Sequence, residues 1–229
     1  MIILYNSLRL FFIIYLLSLS VVYSSSEPHL PLFTLKPNYE QLIADNNLES
    51  VLPKNAKGQI YLFIEQNESE AYANDRFIIS EHINDSMRDE KKFPKSAVTF
   101  DNGDIKRDDL LINTSQEVPP IWVVDADGNM YINTLLFKDL THHNHFINDR
   151  PVACAGHIYV HDGKIKYINS LSGHYKPTTL QLLLVVKYLN EQGVMAPDAI
   201  IASASVPVNV TTLPQALAIA DIIDLHPFN

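Results

Sequence analysis

Two pairs of strand-like stretches, each pair separated by an Asp-Gly turn, constrain the fold more than any other feature of the sequence. Residues 121–124 and 130–136 are strongly apolar, and Asp-Ala-Asp-Gly-Asn lies between them. Residues 150–160 and 164–168 are separated in the same way by His-Asp-Gly. Asp-Gly suits the positive φ angles of a tight hairpin turn. The sequence therefore predicts two antiparallel hairpins.

The clearest predicted helix follows these hairpins, at residues 178–191. Thr178 or Thr179 can cap its start, and Gly193 can end it. Four apolar side chains suit burial of one helix face on the sheet: Leu180, Leu183, Leu184 and Tyr188.

Weaker patterns complete the prediction of the fold. A short helix is expected at 38–52, and Pro214 suits the first turn of a closing helix. Further strands are expected at 59–64, 97–100 and 199–206, with a helix around 71–79. Strands that come mostly in hairpins, with helices toward both ends, predict an α+β fold: one domain, with a mainly antiparallel sheet packed by helices near both ends.

The N-terminus has the pattern of a secretory signal peptide. Arg9 is the one charge in residues 1–22, an apolar run covers residues 10–22, and three serines follow at 24–26. A membrane anchor is the alternative, but a span needs roughly 20 apolar residues and this run is shorter. We therefore expect a signal peptide at 1–26 and a single domain at 27–229. The mature protein would be secreted, or periplasmic in a bacterium, without a stable membrane anchor.

The charge balance argues against nucleic acid as a partner. The chain has 17 Lys and Arg against 26 Asp and Glu, for a net charge of −9. Removal of the signal peptide takes away Arg9 and no acidic residue, so the mature chain is more acidic still. Binding to a phosphate backbone relies on clustered Lys and Arg, and the sequence has no basic stripe.

Cys154 is the single cysteine, so an intrachain disulfide is impossible. Its neighbours are small and apolar, which favours a buried thiol that packs as a small hydrophobic group. A nucleophilic role would need an exposed and electropositive setting, which the local sequence does not supply.

Residues 125–129 share some spacing with a calcium-binding loop. An EF-hand loop needs Gly at its sixth position and a bidentate Glu at its twelfth. Here Gly128 is fourth and Leu136 is twelfth. A hairpin turn accounts for the Gly and Asn without a metal.

Histidines cluster between residues 142 and 161: His142, His143, His145, His157 and His161. In a strand, His143 and His145 would point to one face, and His157, His161 or His174 could add a third zinc ligand. No motif of specific zinc spacing is present, so we predict no metal site and keep His143 and His145 as weak candidates. Polar surface or loop residues are the alternative.

The segment 172–177, Ser-Gly-His-Tyr-Lys-Pro, joins the second hairpin to the helix. In a structural role, Gly173 would permit an unusual backbone angle, Pro177 would start the helix, and Tyr175 would pack while its hydroxyl found a partner. In a functional role, His174 would act as an acid, base or ligand, with Tyr175 as a hydrogen-bond donor. Both roles stay open.

The order of segments 122–131, 143–146, 151–156, 162–165 and 172–177 resembles the C-terminal module of the plant IQ-motif calmodulin-binding proteins, and similar modules of bacterial exported or toxin-like proteins. The resemblance covers about residues 120–192 and implies that His143 and His174-Tyr175 belong to one module. The family's His-Ser-Ser-Phe element stands here as His-Asn-His-Phe, so roles of its serines do not transfer. The sequence has no Ile-Gln followed by spaced arginines, so calmodulin binding does not transfer either.

Two hypotheses for function follow. The first is an exported binding or effector protein that acts outside the producing cell on a protein or small molecule of unknown identity. Its pocket would be lined by His143, His145, His174 and Tyr175. The second is a secreted transferase or hydrolase with His174 and Tyr175 as catalytic residues and His143 assisting. It could be ADP-ribosyltransferase-like, although the His and Tyr of that class lie on separate strands. No cofactor is assigned.

Overall fold

A computed structural model describes residues 33–50, 52, 71–80, 97–133, 143–147, 150–204 and 210–226. The first half of these residues contains β1 (Phe33–Leu35), α1 (Tyr39–Asp45), β2 (Ala71–Ala73), β3 (Ile78–Ser80), β4 (Thr99–Asp101), β5 (Asp104–Arg107), β6 (Leu110–Leu111), β7 (Ile121–Asp125) and β8 (Met130–Ile132). The second half contains β9 (Val152–His161), β10 (Lys164–Asn169), α2 (Thr179–Glu191), β11 (Met195–Ala202), β12 (Val210–Thr212), α3 (Leu213–Ala220) and β13 (Ile223–Leu225). Short 3-10 helices lie at Leu48–Ser50 and His143–Phe146.

Both predicted hairpins are confirmed, and they form the centre of an eight-stranded sheet. β7 pairs with β8, β9 pairs with β10, and β7 also pairs with β9. At the turn between β9 and β10, Asp162 has φ 48° and Gly163 has φ 72°, the backbone that Asp-Gly favours. The α+β fold with a mainly antiparallel sheet is also confirmed.

One pair of neighbouring strands in this sheet is parallel. The strand order is β12-β11-β10-β9-β3-β2, and β10 and β11 run in the same direction. Parallel neighbours need a long crossover connection, and α2 supplies it. The carboxyl ends of β10 and β11 therefore lie at the same edge of the sheet, where the chain enters α2.

The two faces of the sheet are covered differently. On the face that we call the helix face, Trp122, Val124, Cys154, Ile158 and Ile168 pack in one core with residues of α2 and α3. The predicted helix α2 is confirmed, with a capping box formed by Thr178 and Gln181. Its side chains are buried nearly all round, which is typical of a helix inside a protein core.

The opposite face of the sheet is covered at one end by a smaller apolar cluster. Its members are Val123, Tyr131, Phe146, Ile147, Val152, Ala155 and Tyr175. The 3-10 helix His143–Phe146 and the segment after β10 therefore both reach this face. We call it the second face.

Other predictions had mixed outcomes. The helix expected around 71–79 is wrong: β2 and β3 form a hairpin there, because Asn74 Oδ1 accepts the backbone N–H groups of Arg76 (2.9 Å) and Phe77 (2.7 Å) and closes a turn. The helix at 38–52 ends at Asp45 and is followed by the 3-10 helix. The strand predicted at 59–64 and the signal peptide at 1–26 lie outside the described residues.

Two smaller sheets complete the described fold. β1 pairs with β13, and β4, β5 and β6 form a three-stranded sheet. Within the described ranges, no helix is long and apolar enough to cross a membrane.

Candidate functional site

The segment 172–177 forms a single helical turn between β10 and α2. Ser172 Oγ accepts the N–H of Tyr175 (3.3 Å), and Ser172 O accepts the N–H of Lys176 (3.0 Å). Lys176 has φ 46°, so a left-handed residue closes the turn just before Pro177. The prediction that Gly173 supplies the unusual backbone angle is wrong, because Lys176 has it instead.

Both candidate catalytic residues of this turn are buried. His174 is 2% exposed and Tyr175 is 0% exposed. Their rings meet edge to face, with centroids 5.0 Å apart. Tyr175 packs in the cluster on the second face, and its hydroxyl donates to Arg150 O (3.3 Å). The structural prediction for Tyr175, a packed ring with a partner for its hydroxyl, is confirmed, and the catalytic assignments stay predictions.

His143 connects this turn to the sheet. Its Nε2 lies 2.9 Å from Gly156 O, and its Nδ1 lies 3.2 Å from Ser172 Oγ. A carbonyl oxygen can only accept, so Nε2 carries the hydrogen. In the neutral ring Nδ1 is then an acceptor, and the Ser172 hydroxyl donates to it. His143 thus joins three chain segments, and it meets Tyr175 through Ser172.

The other histidines are spread over different settings. His145 lies in the 3-10 helix rather than in a strand, and His142 falls outside the described ranges. His157 meets the His143 ring edge to face at 6.0 Å, and His161 is exposed. Within the part of the chain that the structure describes, no three His, Cys, Asp or Glu side chains are grouped to hold a metal ion.

Asn169 organises a buried polar network that the sequence analysis missed. Its Oδ1 accepts the N–H groups of His157 (2.8 Å) and Leu171 (3.0 Å), and its Nδ2 donates to Tyr167 (2.9 Å). Trp122 Nε1 donates to the carbonyl oxygens of His157 and Asn169, both at 3.1 Å. The network ties the start of the 172–177 turn to β7 and β9.

Gly156 allows β9 and β10 to approach each other closely inside this network. It lies directly opposite Trp122 in the β7–β9 register. A Cβ atom at Gly156 would lie 1.9 Å from Asn169 O, which is a backbone atom and cannot swing away. The glycine is therefore required for packing, and its carbonyl is the acceptor for His143.

Asp125 holds the turn of the first hairpin. Its Oδ1 accepts the backbone N–H groups of Asp127 (3.0 Å) and Asn129 (2.9 Å), and its Oδ2 accepts the Tyr131 hydroxyl (3.3 Å). Burial, and then the Asp125 charge, raise the pKa of Tyr131 above its usual value. The predicted hairpin turn at 125–129 is confirmed. The Asp125 carboxylate oxygens accept from donors of the hairpin itself.

Burial shifts the pKa values of two further titratable groups. Burial raises the pKa of the Cys154 thiol, so the predicted buried cysteine is confirmed and its thiolate is disfavoured. Burial lowers the pKa of His157, which lies beside the His143 ring.

The comparison with family models concerns the part of the chain that holds this network. Residues 95–182 match the model for the IQ motif-containing protein middle domain. The match covers less than half of the chain and includes His143, Gly156, Asn169 and Ser172. The expected relation to IQ-motif proteins is thereby supported for this segment. No curated protein matches the chain, and no solved structure does.

Proposed function

We propose that the chain is an exported protein that acts outside the producing cell by binding a partner. The signal-like sequence at 1–26 supports export. The acidic charge balance disfavours nucleic acid as the partner. The proposed contact surface is the open end of the second face.

A row of side chains on that open end supports the binding proposal. Tyr159 lies opposite Tyr167, and Tyr167 lies beside Ile200 in the strand registers. Ile200 is 47% exposed and Val210, on β12, is 63% exposed. We call Tyr159, Tyr167, Ile200 and Val210 the open-face patch. Aromatic side chains are enriched in protein interfaces, and the buried core of an interface is more apolar than its rim.

The charges at this patch favour an uncharged partner. Lys166 Nζ and Asp198 Oδ1 are 2.8 Å apart, so the two charges beside Ile200 compensate each other. A charged partner would have to compete with this pair, whereas an apolar protein surface would not. We therefore propose an apolar and uncharged patch on another protein as the partner.

The 172–177 turn supports this surface. We propose that it corresponds to the Ser-Gly-His-Tyr-x-Pro corner of the plant IQ-motif proteins and of the bacterial exported or toxin-like proteins. Through Leu171 and Asn169 it fixes the end of β10, which carries Tyr167 of the patch. Calmodulin is not the proposed partner, because the sequence lacks the Ile-Gln motif.

A secreted transferase or hydrolase is the second candidate. The His143–Ser172 contact favours it, because a serine hydroxyl that donates to a histidine is a common catalytic arrangement. An ADP-ribosyltransferase-like reaction at His174 and Tyr175 is less well supported, since the Tyr175 ring packs in the cluster on the second face and its hydroxyl donates to Arg150 O.

The binding proposal is tested by an Ile200→Asp variant. The full chain is expressed in a secreting host, and an N-terminus at Glu27 in the recovered protein checks export in the same experiment. Wild type and variant are then applied to an array of extracellular protein domains. We expect Ile200→Asp to weaken binding at least tenfold, because a carboxylate would have to be buried at the contact.

Leu110→Asp is the matched control, because Leu110 is also an exposed apolar residue but lies on the three-stranded sheet. The proposal requires that Leu110→Asp binds like the wild type. Equal loss in both variants, or no loss in Ile200→Asp, would contradict the open-face patch as the contact surface.

A further inference from the structure

Ser172 lies where a strand leads into a helix, at the carboxyl end of a parallel strand pair. Functional sites in α/β units commonly lie at such ends. The serine itself is buried, but its neighbours on both sides, Leu171 and Gly173, are exposed. The chain is therefore open to solvent on both sides of Ser172.

Neither the backbone nor the packing explains the glycine at 173. Its φ is outside the left-handed region, and a Cβ atom built there would meet nothing within 4 Å. Among the described residues, no acceptor is found for the Gly173 N–H. A residue without a side chain at this position leaves room for a ligand to approach the backbone.

The partners of His143 give it the orientation of a general base. Its Nε2–H donates to Gly156 O (2.9 Å), which fixes the ring and leaves the Nδ1 lone pair directed at Ser172 Oγ (3.2 Å). A nucleophile, a base within hydrogen-bonding distance, and a third group that orients the base are the elements of an activated hydroxyl.

We propose that Ser172 is a nucleophile and His143 its general base in the hydrolysis of a neutral carboxylic ester. Ser172 Oγ attacks the ester carbonyl carbon while its proton passes to His143 Nδ1. The C–O bond to the alcohol then breaks, and His143 returns the proton to the leaving oxygen. Water hydrolyses the acyl-serine with the same base, so that the acid is released and Ser172 regains its proton.

The surroundings define the class of ester. The Gly173 N–H follows the nucleophile directly, and we assign it as the donor to the oxyanion that forms on the carbonyl. Leu171 is an exposed apolar side chain on the other side of Ser172 and suits an apolar acyl group. The net charge of −9 disfavours an anionic substrate. This inference rests on the hydrolase candidate and is independent of the open-face patch.

The test uses the full secreted chain and an alkyl fluorophosphonate probe, which phosphonylates an activated serine and releases fluoride. We expect one probe adduct, mapped by mass spectrometry to Ser172, together with hydrolysis of p-nitrophenyl butyrate. In His143→Gln, both rates are expected to fall at least about 100-fold. Native protein without an adduct, or with the adduct on another residue, would overturn the proposal.

Ser170→Ala is the matched control, because Ser170 is also buried in this segment but accepts from the Ala204 N–H (3.0 Å). It is expected to keep the adduct and the hydrolysis, whereas Ser172→Ala loses both. Loss in both serine variants with unchanged thermal unfolding would also overturn the assignment. The wild-type labelling alone decides the question if a variant fails to fold. A failed labelling with intact patch-dependent binding would leave the binding function standing.

Discussion

Replacement of Gly156 by alanine is expected to lower the free energy of unfolding by about 3 kcal/mol or more, or to prevent folding. The new methyl carbon would lie 1.9 Å from Asn169 O and 2.7 Å from Asn169 C. Both are backbone atoms of β10, so relief requires the two strands to separate. Separation would break the hydrogen bonds that Trp122 Nε1 donates to His157 O and Asn169 O. Urea unfolding followed by tryptophan fluorescence measures the loss, because Trp122 is the single tryptophan.

Gly173→Ala is the control for this experiment. A methyl group there meets no atom within 4 Å and needs no left-handed backbone, so the change in unfolding free energy should stay within about 0.5 kcal/mol. Similar losses in the two alanine variants would show that the close approach at Gly156 is not what makes that glycine necessary.

Truncation of Tyr175 to alanine is expected to cost about 3–5 kcal/mol of stability. The ring is fully buried in the cluster on the second face, beside Phe146, Ile147 and Val152. Its removal would leave a cavity between side chains of the 3-10 helix and of β9. Denaturant unfolding of the purified variant measures the loss.

Tyr175→Phe separates packing from the hydroxyl. The phenylalanine keeps the ring and loses the hydrogen bond that the hydroxyl donates to Arg150 O (3.3 Å), so a cost of about 0.5–1.5 kcal/mol is expected. If Tyr175→Ala were nearly neutral, the side chain could not be part of the core, and the structural role of the 172–177 turn would have to be abandoned.

Local sequence chemistry was sufficient to predict the hairpins and the long helix. Asp162-Gly163 adopts the two positive φ angles that its residue types favour, and Thr178 and Gln181 form the cap of α2. The helix predicted around 71–79 failed because Asn74 forms a turn and because Ile78 and Ile79 are both buried in β3. Tertiary burial outweighed the local pattern there.

The polar network could not be predicted in the same way. Its acceptors are mostly backbone carbonyls, such as Gly156 O and His157 O, and a sequence does not show which carbonyl a distant side chain will reach. The Trp122–Gly156 pairing depends on strand register, which becomes visible only when β7 and β9 are aligned. The association of His143 with the 172–177 turn was expected from the resemblance, but Ser172 as the residue between them was not.

His143 and Ser172 join the 3-10 helix to the 172–177 turn. A double-mutant cycle with His143→Ala and Ser172→Ala tests this connection most directly, with unfolding free energies as the readout. Since the two side chains share a hydrogen bond of 3.2 Å, we expect a coupling energy of about 1 kcal/mol. The parallel cycle of His143→Ala with Ser170→Ala should be additive within about 0.5 kcal/mol, because Ser170 bonds to Ala204 instead. A His143–Ser172 coupling no larger than that of the control cycle would contradict the account.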